Sequence, residues 1–162
     1  MLHKKIILPL LFLLIPLSCF AQSLEEVLLS IHTPQQLSNW LLNEFEYVGE
    51  IPDYWQKPKE TLNLKKGDCE DFAILSQKIL AHLGMESEIL IIKFKNLRGG
   101  HAICIYKDKG FYSFISNQKL IKTKASSIKE AIEKVYPDWE RIIFTNSKRQ
   151  HLKVVSRQKR TF

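Results

Sequence analysis

The hydrophobic period of this chain changes at Gly84, and that change limits the folds open to it. Before it, apolar residues recur at helical spacing at Phe72, Leu75, Ile79 and Leu83, with Ala73 and Leu80 widening the stripe. Beyond Gly84, which suits a helix stop, come runs rich in β-branched and aromatic residues: Glu88 to Phe94, His101 to Tyr106 and Phe111 to Ile115. A helix followed by consecutive strands predicts an α+β fold, with helices packed on one side of an antiparallel sheet. Gly67 suits a turn and Asp68 an N-cap. Asp71 stands three places on, like the acidic partner of a capping box, so the helix is expected to begin at Cys69.

That start puts a thiol in the first turn of a buried helix. A thiol attacks as its thiolate, and the partial positive charge of a helix N-terminus stabilises the anion. Glu70 and Asp71 act against it, so the dipole alone is not enough and an imidazolium partner is needed. His101, in Gly99-Gly100-His101-Ala102, is the candidate. The plainer account of Cys69 by itself is a small buried hydrophobe.

Taken together these segments resemble the bacterial transglutaminase-like cysteine peptidases, a branch of the papain-like thiol hydrolases. The resemblance rests on Trp55-Gln56-Lys57-Pro58-Lys59-Glu60-Thr61, on Gly67-Asp68-Cys69-Glu70-Asp71-Phe72-Ala73, and on His101-Ala102, and it covers roughly Ile51 to Gln118. It implies a papain/transglutaminase-like fold with the nucleophile helix on an antiparallel β-sheet. It implies Cys69 as nucleophile, His101 as base, and a peptide or protein substrate. Gln56, ahead of the cysteine, would donate to an oxyanion. Some relatives bind calcium through acidic residues flanking the cysteine, the positions of Asp68 and Glu70 here. The competing account uses Asp68 as N-cap and leaves Glu70 to solvent or a lysine, with no cofactor.

The third member of the site departs from the family pattern. Where members carry Asp-Asn, this chain reads Ser116-Asn117. A three-residue hairpin at Asp108-Lys109-Gly110 would set His101 opposite Asn117, whose amide oxygen can accept from the imidazole, whereas a four-residue loop would set it opposite Ser116. The degenerate third member leaves two functions open: a thiol hydrolase using a Cys-His dyad, or a weak or inactive domain that binds a peptide or cell-envelope ligand.

Residues 1–21 read as a signal peptide, with a positive start at His3-Lys4-Lys5, an apolar core from Ile6 to Leu17, and a small-x-small site at Cys19-Phe20-Ala21. The expectation is an exported protein, periplasmic or secreted, and the alternative is a lipoprotein acylated at Cys19. Residues 22–162 are then a single domain with a basic C-terminal tail. After cleavage Cys69 and Cys104 remain, too few for a disulfide framework, and strand parity puts residues 101 and 104 on opposite faces, which argues against a bridge between the two thiols. Ser23-Leu24-Glu25-Glu26, Thr33-Pro34-Gln35-Gln36 and Ser127-Ile128-Lys129-Glu130 read as further helix starts; Leu37, Trp40, Leu41, Phe45 and Val48 continue the second at helical spacing. Gly49 to Asn63 reads as a loop broken by Pro52 and Pro58, and Ile142-Ile143-Phe144 and Leu152-Lys153-Val154-Val155 read as further strands, pairing at an edge. The formal net charge of +7 is concentrated beyond Glu140, where there is no acidic residue. Without an aromatic platform or a recognised motif this excludes nucleic acid as the expected partner; a frayed solvated tail, or attraction to anionic envelope surfaces, accounts for it.

Overall fold

The computed structural model describes residues 22–49 and 54–157, so the leader reading, with Cys19, lies outside the described residues. The elements run α1 (Leu24–Ser30), α2 (Pro34–Glu44), β1 (Glu46–Tyr47), α3 (Pro58–Leu64), β2 (Lys66–Gly67), α4 (Cys69–His82), β3 (Ser87–Phe94), β4 (Gly100–Asp108), β5 (Phe111–Ser116), β6 (Lys119–Ala125), α5 (Ile128–Val135), β7 (Trp139–Thr145) and β8 (His151–Ser156). Among the described residues the main sheet has six strands in the order β6-β5-β4-β3-β7-β8, all neighbours antiparallel.

Local chemistry explains most of the helix boundaries. Ser23 and Glu26 exchange the reciprocal bonds of a capping box, Thr33 Oγ1 accepts from Gln36 N–H ahead of Pro34, and Ser127 Oγ accepts from Glu130 N–H. Gly84 ends α4 with φ +73°, its N–H bonded to Ala81 O and the Met85 N–H to Leu80 O. Two expectations are corrected here. Pro58 is the first residue of α3 rather than a loop breaker, because a proline at that position gives up only an N–H that has no helical partner. α2 ends at Glu44, so Val48 lies outside the helix and is exposed; the chain turns there to lay β1 parallel to β2.

The sheet is covered on both faces, not on one. Ile89, Ala102, Cys104, Tyr106 and Ile115 pack with Phe72, Leu75 and Ile79 of α4 and with residues of α1 and α2. Leu90, Ile92, Ile103, Ile105 and Phe114 face the other way, against Ala131 and Ile132 of α5 and against Trp139. Alternation along β3 and β4 therefore feeds two cores, and a strand buried on both faces reads as an unbroken apolar run. Phe72 and Trp139 are fully buried, and truncating either to alanine would cost about 3–5 kcal/mol.

In the basic C-terminal stretch the expected strands form and pair at the sheet edge, and the frayed-tail account is corrected. From His151 to Ser156 it is the sheet's edge strand rather than a frayed tail, with Val155 paired to Ile142 and Lys153 to Phe144. Its cations lie on aromatic rings: Lys153 on Phe144, Arg157 on Trp139, and Arg149 on Trp55 in the loop before α3.

Candidate active site

Three segments converge at the N-terminal end of α4. The first is the loop before α3, tied to the helix by Asp71. This fully buried carboxylate accepts from the Gln56 backbone N–H through Oδ1 at 2.7 Å and from the Asp68 N–H through Oδ2 at 3.1 Å. Asp71 is thus the return arm of the expected capping box, but it also reaches a residue fifteen positions away. The Gln56 side chain is buried beside it, 2% exposed. Gly67 precedes the helix because a Cβ there would lie 2.8 Å from Asp71 Cβ and Oδ2.

The second segment is the start of α4 itself. Cys69 is half-buried, and its thiol donates to Glu70 Oε2 at 2.9 Å. The Ala102 backbone amide lies near enough to the sulfur to lower its pKa, so the thiol meets β4 at the residue after His101. Burial, then the bond to Glu70, push the thiol up to about 12; the Ala102 amide opposes them without prevailing. In this geometry the resting sulfur is a protonated thiol held by a carboxylate, not the thiolate that a helix N-terminus alone would favour. Cys104 is fully buried, its thiol also pushed up to about 12 by burial, and both cysteines are free. Residues 101 and 104 do face opposite ways, but it is Cys104 that faces the α4 core while His101 shares the α5 side with Ile103.

The third segment is the β4–β5 hairpin, whose register differs from the expectation. Asp108 pairs with Phe111, so the loop is the two residues Lys109 and Gly110, both at positive φ, as a type I′ turn requires. The ladder then pairs Ile103 with Ser116, which makes Ser116 the diagonal neighbour of His101 on the same face. His101 Nε2 lies 2.8 Å from Ser116 Oγ. Asn117 falls in the β5–β6 turn at φ +50°, and its Oδ1 is buried without a hydrogen-bond partner. The expected pairing of His101 with Asn117 is therefore corrected to a bond with Ser116, because one residue of register moves every side chain to the other face. Burial lowers the His101 pKa. Among the described residues, no carboxylate is bonded to the ring and no hydrogen bond joins it directly to the thiol.

Sequence reasoning missed Tyr136. Its hydroxyl lies 2.9 Å from Ser116 Oγ and its ring centroid 5.7 Å from that of His101. Nothing in the local pattern marked it, since it arrives from the far side of the sheet at the end of α5.

Asp68, Cys69 and Glu70 place their ligand atoms within 4.8 Å of one another. The carboxylates are the oxygen donors that calcium prefers and the thiol is not, so the fit to calcium rests on Asp68 and Glu70. A separate cavity of about 650 Å³ lies along the flank of α4, lined by Pro58, Ile74, Gln77, Met85, Ser87 and Ser147 among others. It is not lined by the thiol or the imidazole, and the chemistry places the candidate site at the helix terminus instead.

The family model described as a transglutaminase-like domain matches residues 23–148. The chain belongs to that family. The transglutaminase-like architecture is seen again in Legionella pneumophila LapG. Its calcium-bound form is 22% identical, with a TM-score of 0.51, over 69% of this chain and 64% of that one. Its EGTA-treated form is 19% identical, with a TM-score of 0.50, over 78% and 67%. These likenesses are of fold. The UPF0252 protein of Archaeoglobus fulgidus is 36% identical over 67 residues, 41% of this chain and 21% of that protein. This transglutaminase-like chain thus spans about a fifth of that relative's length and about two thirds of LapG.

Proposed function

We propose that this protein is a thiol hydrolase of peptide or protein amide bonds, with Cys69 as nucleophile and His101 as general base. The observation that carries the reading is that the Cys69 sulfur, in the first turn of α4, lies beside the amide of Ala102, the residue after a histidine whose Nε2 is already engaged by Ser116. Nδ1 is left as the nitrogen able to take the thiol proton. Because the resting thiol is protonated, proton transfer accompanies attack rather than preceding it. The S–C bond forms as the proton passes to Nδ1; the leaving amine takes that proton as the C–N bond breaks; water then cleaves the acyl-enzyme and returns the thiol. The Cys69 backbone N–H in the first helical turn and the Gln56 side chain are the proposed oxyanion donors, and Asp71 ties the Gln56 backbone to that turn.

The same reading includes a calcium ion held by Asp68 and Glu70, whose charge would offset their repulsion of a thiolate. The leader composition supports action outside the cytoplasm, and the basic stretch beyond Glu140 suits anionic envelope surfaces.

A second reading has a specific observation in its favour. A thiol pushed up to about 12, with a serine in place of an acid, also suits a domain that binds a peptide and does not turn it over. Mass spectrometry of a mixed peptide library incubated with the protein and with Cys69→Ala separates the two. Cleavage that disappears in the variant supports hydrolysis; equal peptide retention by both proteins with no cleavage by either overturns it.

A further inference from the structure

Tyr136 caps the C-terminal end of α5 and reaches the site from the face of the sheet opposite α4. Its ring packs against Phe94 and Phe114, with centroids 5.9 Å away in each case, and edge-on to His101. Its hydroxyl completes a chain from His101 Nε2 through Ser116 Oγ, with links of 2.8 and 2.9 Å. We infer that Tyr136 is a positioning residue: with Ser116 it forms a neutral two-hydroxyl relay that holds the His101 ring where the family pattern has an acidic residue. The purpose of the relay rests on the hydrolase reading; its existence does not.

The physical need for a second hydroxyl follows from the difference between serine and a carboxylate. A carboxylate can only accept, so it dictates a proton on Nε2. A lone serine hydroxyl can donate or accept, which leaves the tautomer undecided. In the relay Tyr136 Oη accepts the serine proton, the serine oxygen accepts from Nε2–H, and the Nδ1 lone pair stays available. The phenolic proton then goes to solvent, which the half-buried position of Tyr136 allows. Burial raises the Tyr136 pKa, so the phenol stays protonated and the relay stays uncharged. It orients the ring without supplying the charge that stabilises an imidazolium, in keeping with the lowered His101 pKa.

The surroundings of the ring make the test specific. Ser116 meets it from β5 and Tyr136 from the end of α5. Ile92 is its pair partner on β3, with Lys93 paired to Gly100 at the next position, and Cys69 approaches through the Ala102 amide. Tyr136→Phe keeps the ring packing and removes only the hydroxyl. Two-bond proton–nitrogen NMR on the chain labelled at histidine nitrogen reads both the tautomer and the titration midpoint of His101. The expected result is an Nε2–H tautomer in the wild type and a midpoint lowered in Tyr136→Phe by about half a pH unit to one unit, the worth of one neutral hydrogen bond. On a Ser116→Ala background the same change should move nothing. Ser116→Asp should raise the midpoint and leave Tyr136→Phe nearly silent. An unchanged or raised midpoint in Tyr136→Phe, an equal shift on the Ser116→Ala background, or an Nδ1–H tautomer in the wild type would overturn the relay. The readout needs no turnover, so loss of the hydrolase reading in the peptide-library assay leaves this test standing on its own.

Discussion

Replacing Asp71 by alanine tests whether the site is assembled by one buried carboxylate. The change removes the acceptor of two buried backbone donors, the Gln56 and Asp68 N–H groups, and each is left without its bond to Asp71. An unsatisfied buried donor costs about 1–3 kcal/mol, so the pair amounts to about 2–6 kcal/mol. Relief of the carboxylate's own desolvation offsets part of this, and the lower half of that range, about 2–4 kcal/mol, is the expected loss. Against a total stability of about 5–15 kcal/mol this is a large fraction. Urea denaturation followed by far-ultraviolet circular dichroism should show a lower midpoint at unchanged m-value. Melting should fall by roughly 4–16 °C for a domain of this size. Asp71→Asn keeps the shape and one acceptor oxygen but points an amide NH₂ at the second donor, so it should lose about half as much. Gly67→Ala presses on the same carboxylate from outside and should destabilise through it, since its Cβ would come 2.8 Å from Asp71 Oδ2. In amide exchange, residues 56 and 68 should lose protection first. A loss below about 1 kcal/mol in Asp71→Ala, or protection retained at both amides, refutes the argument that this carboxylate joins the loop to the helix.

The thiol and the metal give two further tests. With the Cys69 thiol pushed up to about 12, iodoacetamide labelling should quicken about tenfold per pH unit between about pH 8 and 11; Glu70→Gln removes the carboxylate that accepts the thiol proton, so the pKa falls and labelling at pH 8 speeds up. Cys104, fully buried, should stay unmodified in the native protein, and a plateau near pH 8 for Cys69, or preferential labelling of Cys104, counts against the geometry. Calcium at Asp68 and Glu70 should raise the melting temperature of EGTA-treated protein, by about 2.7 kcal/mol of stability at a hundredfold excess over its dissociation constant; Glu70→Gln should abolish the rise, and an unmoved melting temperature in the wild type removes calcium from the site.

Local chemistry was sufficient to place the helix carrying Cys69, its Gly84 stop, the caps at Ser23, Thr33 and Ser127, and the strands from Ser87 to Ser116, since each depends on residues within a few positions of one another. The α+β class followed from the same change of period. The placement of α3 failed because proline reads alike as a breaker and as a first helical residue, and what separates them is the Glu60 carboxylate accepting from the Lys57 N–H. The two-sided cover was legible in the unbroken apolar runs Ile89–Ile92 and Ala102–Tyr106, where a one-sided sheet would alternate apolar with polar residues; that α5 supplies it was not, since a helix start at Ser127 does not say which face the helix packs on. The partner of His101 turned on one residue of hairpin register. That register depends on Lys109 accepting a positive φ that its side chain disfavours, and the ladder that outweighs the strain forms only when five strands flank and extend the His101 strand. Tyr136 stands twenty residues beyond Ser116 and comes to it only because α5 crosses the back of the sheet. Caps and periods are short-range and can be read from the chain; which hydroxyl stands behind the imidazole is a long-range contact, decided by how two faces of one sheet are covered.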